Sequence, residues 1–168
     1  MLRDKNLVPL SHQHQHALAL CVRIDRAIQS GEIDVAAFQK EILQIYEQEI
    51  RCHFEAEEAV VFPAAEKFSE LKPLVAELLA QHAGLREFFE LARTGAYDGT
   101  SLQRFAEMLA AHVRKEERQL FENMQSLMTV AEMSEIGAAL ERSLARAEQA
   151  CLLPNQATRL KGKPPIDS

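Results

Sequence analysis

The sequence predicts an all-α fold: an up-down-up-down four-helix bundle with an additional C-terminal fifth helix. Three observations carry this. Strong helix formers (Ala, Leu, Glu, Gln, Arg) dominate, with only 6 Gly and 6 Pro in 168 residues. Apolar residues recur at the helical period, and no segment alternates like a strand. The breaks between periodic segments are short, which favours antiparallel neighbours. The length suits one domain. Residues 1–150 are expected to form the bundle, with its core at 8–127 and the extra helix at 129–150. Residues 151–168 are expected to be a flexible tail.

The first helix, α1, is expected from about Pro9 to Gln29, with Ser11 as its cap, and stops at "SGE". The second, α2, follows Asp34, a favoured N-cap type, and runs to about Phe62, where Pro63 ends or kinks it. The third, α3, carries Pro73 in its first turn, a preferred place for proline, and ends near "TGAYDG". The fourth, α4, starts after Thr100 or Ser101 and runs to about Leu127. The fifth, α5, opens on "TVAE", where Thr129 and Glu132 form a capping box, and reaches about Ala150. Its stripe of Met133, Ile136, Leu140, Leu144 and Ala147 must be covered, either by its own bundle or by a protein partner or homodimer. The tail "LLPNQATRLKGKPPIDS" mixes Pro, Lys and polar residues and is expected to be loosely held.

Composition excludes several classes of function. A net charge of -6 argues against a nucleic-acid groove, because phosphate binding requires a basic surface. No apolar run is long enough to cross a bilayer, and the N-terminus lacks the apolar stretch of a signal peptide. Cys21, Cys52 and Cys151 are odd in number and widely spaced, so they read as reduced thiols of a cytoplasmic protein.

The chemistry lies in a recurring pattern, "RCHFEAEEAVVFP" at 51–63 and "AAHVRKEERQLFENM" at 111–125. Successive helical residues turn by roughly 100°. On α2 this places Ile42, Tyr46 and Val60 on the face of His53, with Glu57 beside it. On α4, Phe105, Met108, Leu109 and Glu116 share the face of His112. The adjacent Glu58 and Glu117 point away, toward the solvated side. On α3, His82 interrupts a stripe of Val75, Leu78, Leu79, Leu85 and Phe89. On α1, His14 shares a face with Leu10, Leu18, Cys21 and Ile28, whereas His12 and His16 lie opposite and read as surface residues. At about 1.5 Å per residue, all four inward histidines and both inward glutamates fall at one height in an up-down bundle.

Buried carboxylates without a compensating charge are costly, and so are unpartnered imidazole nitrogens. A metal supplies that charge. Imidazole with carboxylate suits iron, manganese or zinc. Six protein ligands exceed what one tetrahedral zinc takes; they suit two metals, with both carboxylates bridging. Ferritin-like di-iron proteins place Glu before His at a spacing of three. Here His comes first and the spacing is four.

The segments "LSHQHQHAL", "HFEAEEAVVFP", "LLAQHAGL" and "HVRKEERQLF", in this order over residues 8 to 127, resemble the hemerythrin-like (HHE cation-binding) domain. The resemblance implies a bundle holding two non-haem, oxo- or hydroxo-bridged iron ions, with zinc or manganese as alternative metals. It implies His14, His53, Glu57, His82, His112 and Glu116 as the metal ligands. The oxygen-carrying members place two histidines four apart on the third helix; here Leu78 and Arg86 flank His82 at that spacing. Those members also use an Asp five residues after the fourth-helix His. Here Glu117 stands there, and Glu116 takes the role.

The resemblance leads to a di-iron protein that binds or senses oxygen, nitric oxide or iron, and is not itself an enzyme. The alternatives are a di-iron enzyme (an oxidase, a peroxide-consuming protein or an iron-donating repair protein) and a metal-stabilised interaction bundle. Three residues near the metal face have a bland first reading: Tyr46 and Arg86 as packing or surface residues, Cys21 as core filler. Gly84, beside His82, serves either a close helix contact or a ligand channel.

Overall fold

A computed structural model describes residues 2–152, with side chains described through residue 146. Five helices account for the described chain. They are α1 (Val8–Ser30), α2 (35–65), α3 (Lys72–Thr94), α4 (99–127) and α5 (Val130–Leu152). No strand occurs among the described residues, and none of their helices is long and apolar enough to cross a membrane. The expected tail at 151–168 lies almost entirely outside the described residues.

Several helix ends follow directly from residue chemistry. The Asp34 carboxylate caps α2 by accepting the Ala37 N–H at 3.0 Å. Pro73 sits in the first turn of α3, and Gly95, at φ 77°, closes that helix in the left-handed conformation. The capping box of α5 forms as expected: Glu132 accepts the Thr129 N–H at 2.8 Å, and Thr129 Oγ1 accepts the Glu132 N–H. Two expected caps are displaced. Asp98, not Thr100 or Ser101, caps α4, accepting both N–H and O–H from Ser101. Ser11 does not cap α1, whose N-cap is Leu7; its hydroxyl is spent on Glu117 instead.

The largest correction concerns α2, which does not stop at Phe62 but continues through Pro63 to Ala65. The reason is a widened turn. In α2 the Phe62 N–H reaches back five residues to the Glu57 carbonyl, and in α4 the Phe121 N–H reaches the Glu116 carbonyl in the same way. Such π-turns insert one residue into the α-helical register. Pro63 follows directly, where the helical ladder is already broken, so its missing N–H removes little. The insertion also re-phases everything downstream. Val60, expected on the metal face, is only half-buried, while Val61 and Phe62 are buried. A third π-turn spans Tyr46–Ile50 of α2 and has no counterpart in α4.

The core divides into two apolar compartments. One contains Leu20, Ile24, Ile42, Phe89, Phe105 and Leu109. The other contains Leu7, Leu10, Phe62, Leu78, Phe121 and Met124, together with Met133, Ile136 and Leu140 of α5. Met133, Ile136 and Leu140 of the α5 stripe, with Leu144 partly buried beside them, are therefore covered by their own bundle, and Ala147 lies outside the described side chains. Gly84 permits a close helix contact, since a Cβ there would meet Met108 Cε at 2.8 Å. Cys21 is core filler, and burial raises its thiol pKa to about 11. Between the two compartments lies a polar layer.

Candidate metal centre

Every helix of the four-helix bundle sends one side chain or more into that layer. His14 comes from α1, His53 and Glu57 from α2, His82 from α3, and His112 and Glu116 from α4. They are the buried polar or charged residues among the described ones, at 0–4% exposure. Their ligand atoms form two sets, each with all its atoms within 4.8 Å of one another. The first set is His14, His53, Glu57 and Glu116; the second is Glu57, His82, His112 and Glu116. Both carboxylates belong to both sets. The six residues expected from the sequence are thus brought together.

All four imidazoles present Nε2 to the centre. His14 Nε2 lies 2.9 Å from His53 Nε2 and 3.2 Å from Glu116 Oε2. His53 Nε2 is 3.1 Å from Glu57 Oε1. Across the layer, His82 Nε2 lies 3.1 Å from His112 Nε2 and 3.4 Å from Glu57 Oε2. His112 Nε2 is 3.3 Å from Glu116 Oε2. None of the four carboxylate oxygens of Glu57 and Glu116 has a hydrogen-bond partner. Four anionic lone-pair sites in a water-poor layer, facing four imidazole nitrogens, make a donor set suited to cations.

The outer nitrogens explain why the rings point inward. His14 Nδ1–H donates to Glu117 Oε1 at 2.7 Å, and His82 Nδ1–H to Glu58 Oε1 at 2.8 Å. His53 Nδ1–H donates to Gln13 Oε1 at 2.8 Å, and His112 Nδ1–H to Gln81 Oε1 at 3.0 Å. Each outer bond fixes the tautomer and leaves the Nε2 lone pair for a metal. Glu58 and Glu117 therefore do not face open solvent, as helical angle alone implied. They lie in the seams between neighbouring helices, where a residue turned off the core axis meets the next helix. The doubled Glu in both "HFEAEE" and "HVRKEE", and the "QH" pair on both α1 and α3, were the sequence signals for these four partners.

An approximate two-fold relation follows. His14, Gln13, His53 and Glu57 correspond to His82, Gln81, His112 and Glu116. Phe121, stacked on His14 with centroids 5.7 Å apart, corresponds to Phe62, 5.3 Å from His82. At 100° per residue each Phe would lie opposite the histidine nine positions earlier on its own helix. The π-turn brings it back toward the layer.

In this layer the two buried carboxylates favour charge on His14 and His82, while burial opposes it. Burial disfavours the charge on His14, but Glu116, Glu117 and Glu57 outweigh it and lift its pKa to about 10. Burial likewise opposes charge on His82, and Glu57 and Glu116 reverse this and raise it. His112 is lowered, by burial first, with His82 and His14 adding to the effect. Glu57 is held well below the usual carboxylate range by His53, His82 and His14, despite its burial. Glu117, opposed by burial but held by His14, Ser11 and Arg3, falls to about 2.

A cavity of about 10 Å³ adjoins the His14 and His53 side of the layer, room for about one water-sized molecule. Ala17, Ile50, Phe54, Leu109 and Val113 line it, with Gln13 and Glu49 as its outer polar groups. Glu49 accepts from exposed His16 at 3.0 Å, so His16 is the surface residue expected. Tyr46 packs on Phe89 with centroids 4.1 Å apart. Arg86 is more than a surface residue, because it binds Glu58 at 2.8 Å.

A family model described as "Hemerythrin HHE cation binding domain" matches residues 8–124. No curated protein and no solved structure matches the chain.

Proposed function

Because this chain belongs to the hemerythrin HHE cation-binding family, a metal-binding family, we propose that its buried layer holds two iron ions. His14 and His53 serve one ion and His82 and His112 the other, with Glu57 and Glu116 shared between them. The observation that carries this reading is the set of four buried carboxylate oxygens without a hydrogen-bond donor. An apolar side chain of similar size would avoid that cost unless a cation normally meets them.

Each ion would be held by two imidazoles and by both shared carboxylates, and bound iron would supply a site for a small diatomic ligand such as oxygen or nitric oxide. The chain's own part is to orient the rings through Nδ1, to exclude bulk water with Phe54, Leu109 and Val113, and to restrict entry by size. The cavity beside His14 and His53 has room for about one water-sized molecule, far less than a metabolite needs. We therefore read the protein as one that binds or senses a diatomic gas through its metals.

Metal analysis with an absorption spectrum on the wild type and His53→Ala tests this. The wild type should carry two irons, absorb in the near ultraviolet, and change its spectrum with nitric oxide. His53→Ala should lose iron. A wild type that retains no metal after reconstitution with ferrous iron would end the reading, and multiple-turnover loss of peroxide would replace the sensor with an enzyme.

A further inference from the structure

The carboxylates that orient His14 and His82 are themselves held, and by matching means. On the His82 side, Arg86 donates to Glu58 Oε1 at 2.8 Å. Its guanidinium also lies over Phe54, 5.5 Å from the ring centroid, and Phe54 stacks on His82 at 3.8 Å. Arg86 thus braces His82 twice, once through a carboxylate and once through a ring. It stands one helical turn after His82. The position one turn after His14 is Leu18, so α1 offers no cation at that place.

Arg3 fills that place from outside α1. Its Nη2 donates to Glu117 Oε2 at 2.6 Å and to the Glu117 carbonyl at 2.7 Å, and its Nη1 donates to Gln125 at 2.9 Å. Its guanidinium lies over Phe121, 5.1 Å from the centroid, and Phe121 stacks on His14. The same two contacts, Arg to Glu to His and Arg to Phe to His, are therefore built twice from unrelated segments.

The segment carrying Arg3 is seated for this purpose. Gln125 accepts the Asp4 N–H at 3.1 Å and donates to the Leu2 carbonyl at 3.0 Å. Asn6 lies against α5 at Gly137, where a Cβ would collide with the Asn6 side chain. Leu7 is wholly buried. Arg3, Gln125 and Gly137 all lie outside the residues matched by the family model.

We propose that Arg3 is a positioning residue for the His14 half of the centre, delivered by an N-terminal strap that α4 and α5 clamp in place. It keeps Glu117 turned onto His14 Nδ1 and Phe121 flat against the ring. The consequence for metal uptake rests on the two-metal reading above; the orientation of His14 does not.

The test compares full-length wild type, Arg3→Gln, Arg3→Lys and Arg86→Gln. In metal-free protein, NMR of the histidine side chains reads the Nδ1-bound protons. Arg3→Gln should lose the slowly exchanging His14 signal and keep that of His82, and Arg86→Gln should do the reverse. Titration with cobalt(II) reads the metals. Arg3→Gln should weaken one of two binding steps by roughly 10- to 100-fold, the usual effect of removing an outer-shell partner, and leave the other unchanged. Arg3→Lys keeps the charge without the fork and should recover only part of the loss. An unchanged His14 signal in Arg3→Gln would overturn the proposal, and so would equal weakening of both steps. If the wild type binds no cobalt while Arg3→Gln still frees His14, the two-metal reading fails and the positioning role stands.

Discussion

Loading the centre with metal should release protons, and the pH responses of metal binding and of metal-free stability should have opposite signs. His14 is the group that sets this. Its pKa in the metal-free fold is about 10, against 6.5 for an ordinary imidazole, because Glu116, Glu117 and Glu57 outweigh burial. A ligating imidazole must give up its Nε2 proton, while the Nδ1 proton stays on the ring, donated to Glu117. At pH 7 that displacement costs roughly 4 kcal/mol, from about three pH units at 1.36 kcal/mol each. Affinity at this position should therefore rise close to tenfold per pH unit through the neutral range and level off near the His14 pKa. Folding runs the other way. A raised histidine pKa gives stability that is complete below pH 6.5 and is lost as pH climbs through about 10. Glu117 acts at the acid end: its stabilisation is present above the ordinary value of 4.5 and is lost as pH falls through about 2. Calorimetric titration with cobalt(II) at pH 7, in buffers of different ionisation enthalpy, should give at least one proton released by the time both metals are bound. Thermal melts should show the metal-free midpoint falling from pH 6.5 to 10. No released proton, or a metal-free midpoint that rises across that range, would refute the reasoning.

Ala17→Leu should place in the cavity wall the side chain that Leu85 supplies at the corresponding position of α3. It is expected to retain two metals, to lose the spectral response to azide or nitric oxide, and to cost about 1–3 kcal/mol from overpacking, read as a lower denaturation midpoint. Phe62→Ala removes a fully buried ring that contacts His82. It should destabilise the metal-free protein by about 3–5 kcal/mol, seen as a drop in urea midpoint with unchanged slope.

The six inward polar side chains were legible because burying a charge breaks the apolar pattern of a helix, and such breaks show in one sequence at a period of 3.6 residues. His82 among Val75, Leu78, Leu85 and Phe89 is the plainest case. What period alone could not show was where the period itself changes. Glu57 and Glu116 each open a π-turn, and after it the buried positions move by one residue, to Val61 and Leu120. Val60 was misplaced for that reason, and Phe62 and Phe121 went unrecognised as ring partners. The roles of Glu58 and Glu117 were hidden for another reason. An angle measured from the core axis distinguishes inside from outside, but it does not distinguish open solvent from the seam beside the next helix. Ser11 and Arg3 are sequence-distant from Glu117, so their convergence on it is visible only in three dimensions.

Donor chemistry does not distinguish the two sets of candidate ligands. Each has one imidazole backed by a carboxylate, one backed by an amide, and the same two shared carboxylates. The surroundings do distinguish them. Ala17 stands where α3 has Leu85, and Val113 stands where α2 has Phe54; both smaller residues line the cavity next to His14 and His53. Ile50, also in its wall, ends the Tyr46–Ile50 π-turn that α4 lacks. Space for a ligand is therefore a property of packing on one side of a nearly two-fold centre. It follows that changes to the shared carboxylates should affect both metals together, whereas changes to Ala17 or Val113 should alter ligand access while leaving both metals bound. On the proposed two-metal reading, that separation lets packing select a ligand by size without altering either donor set.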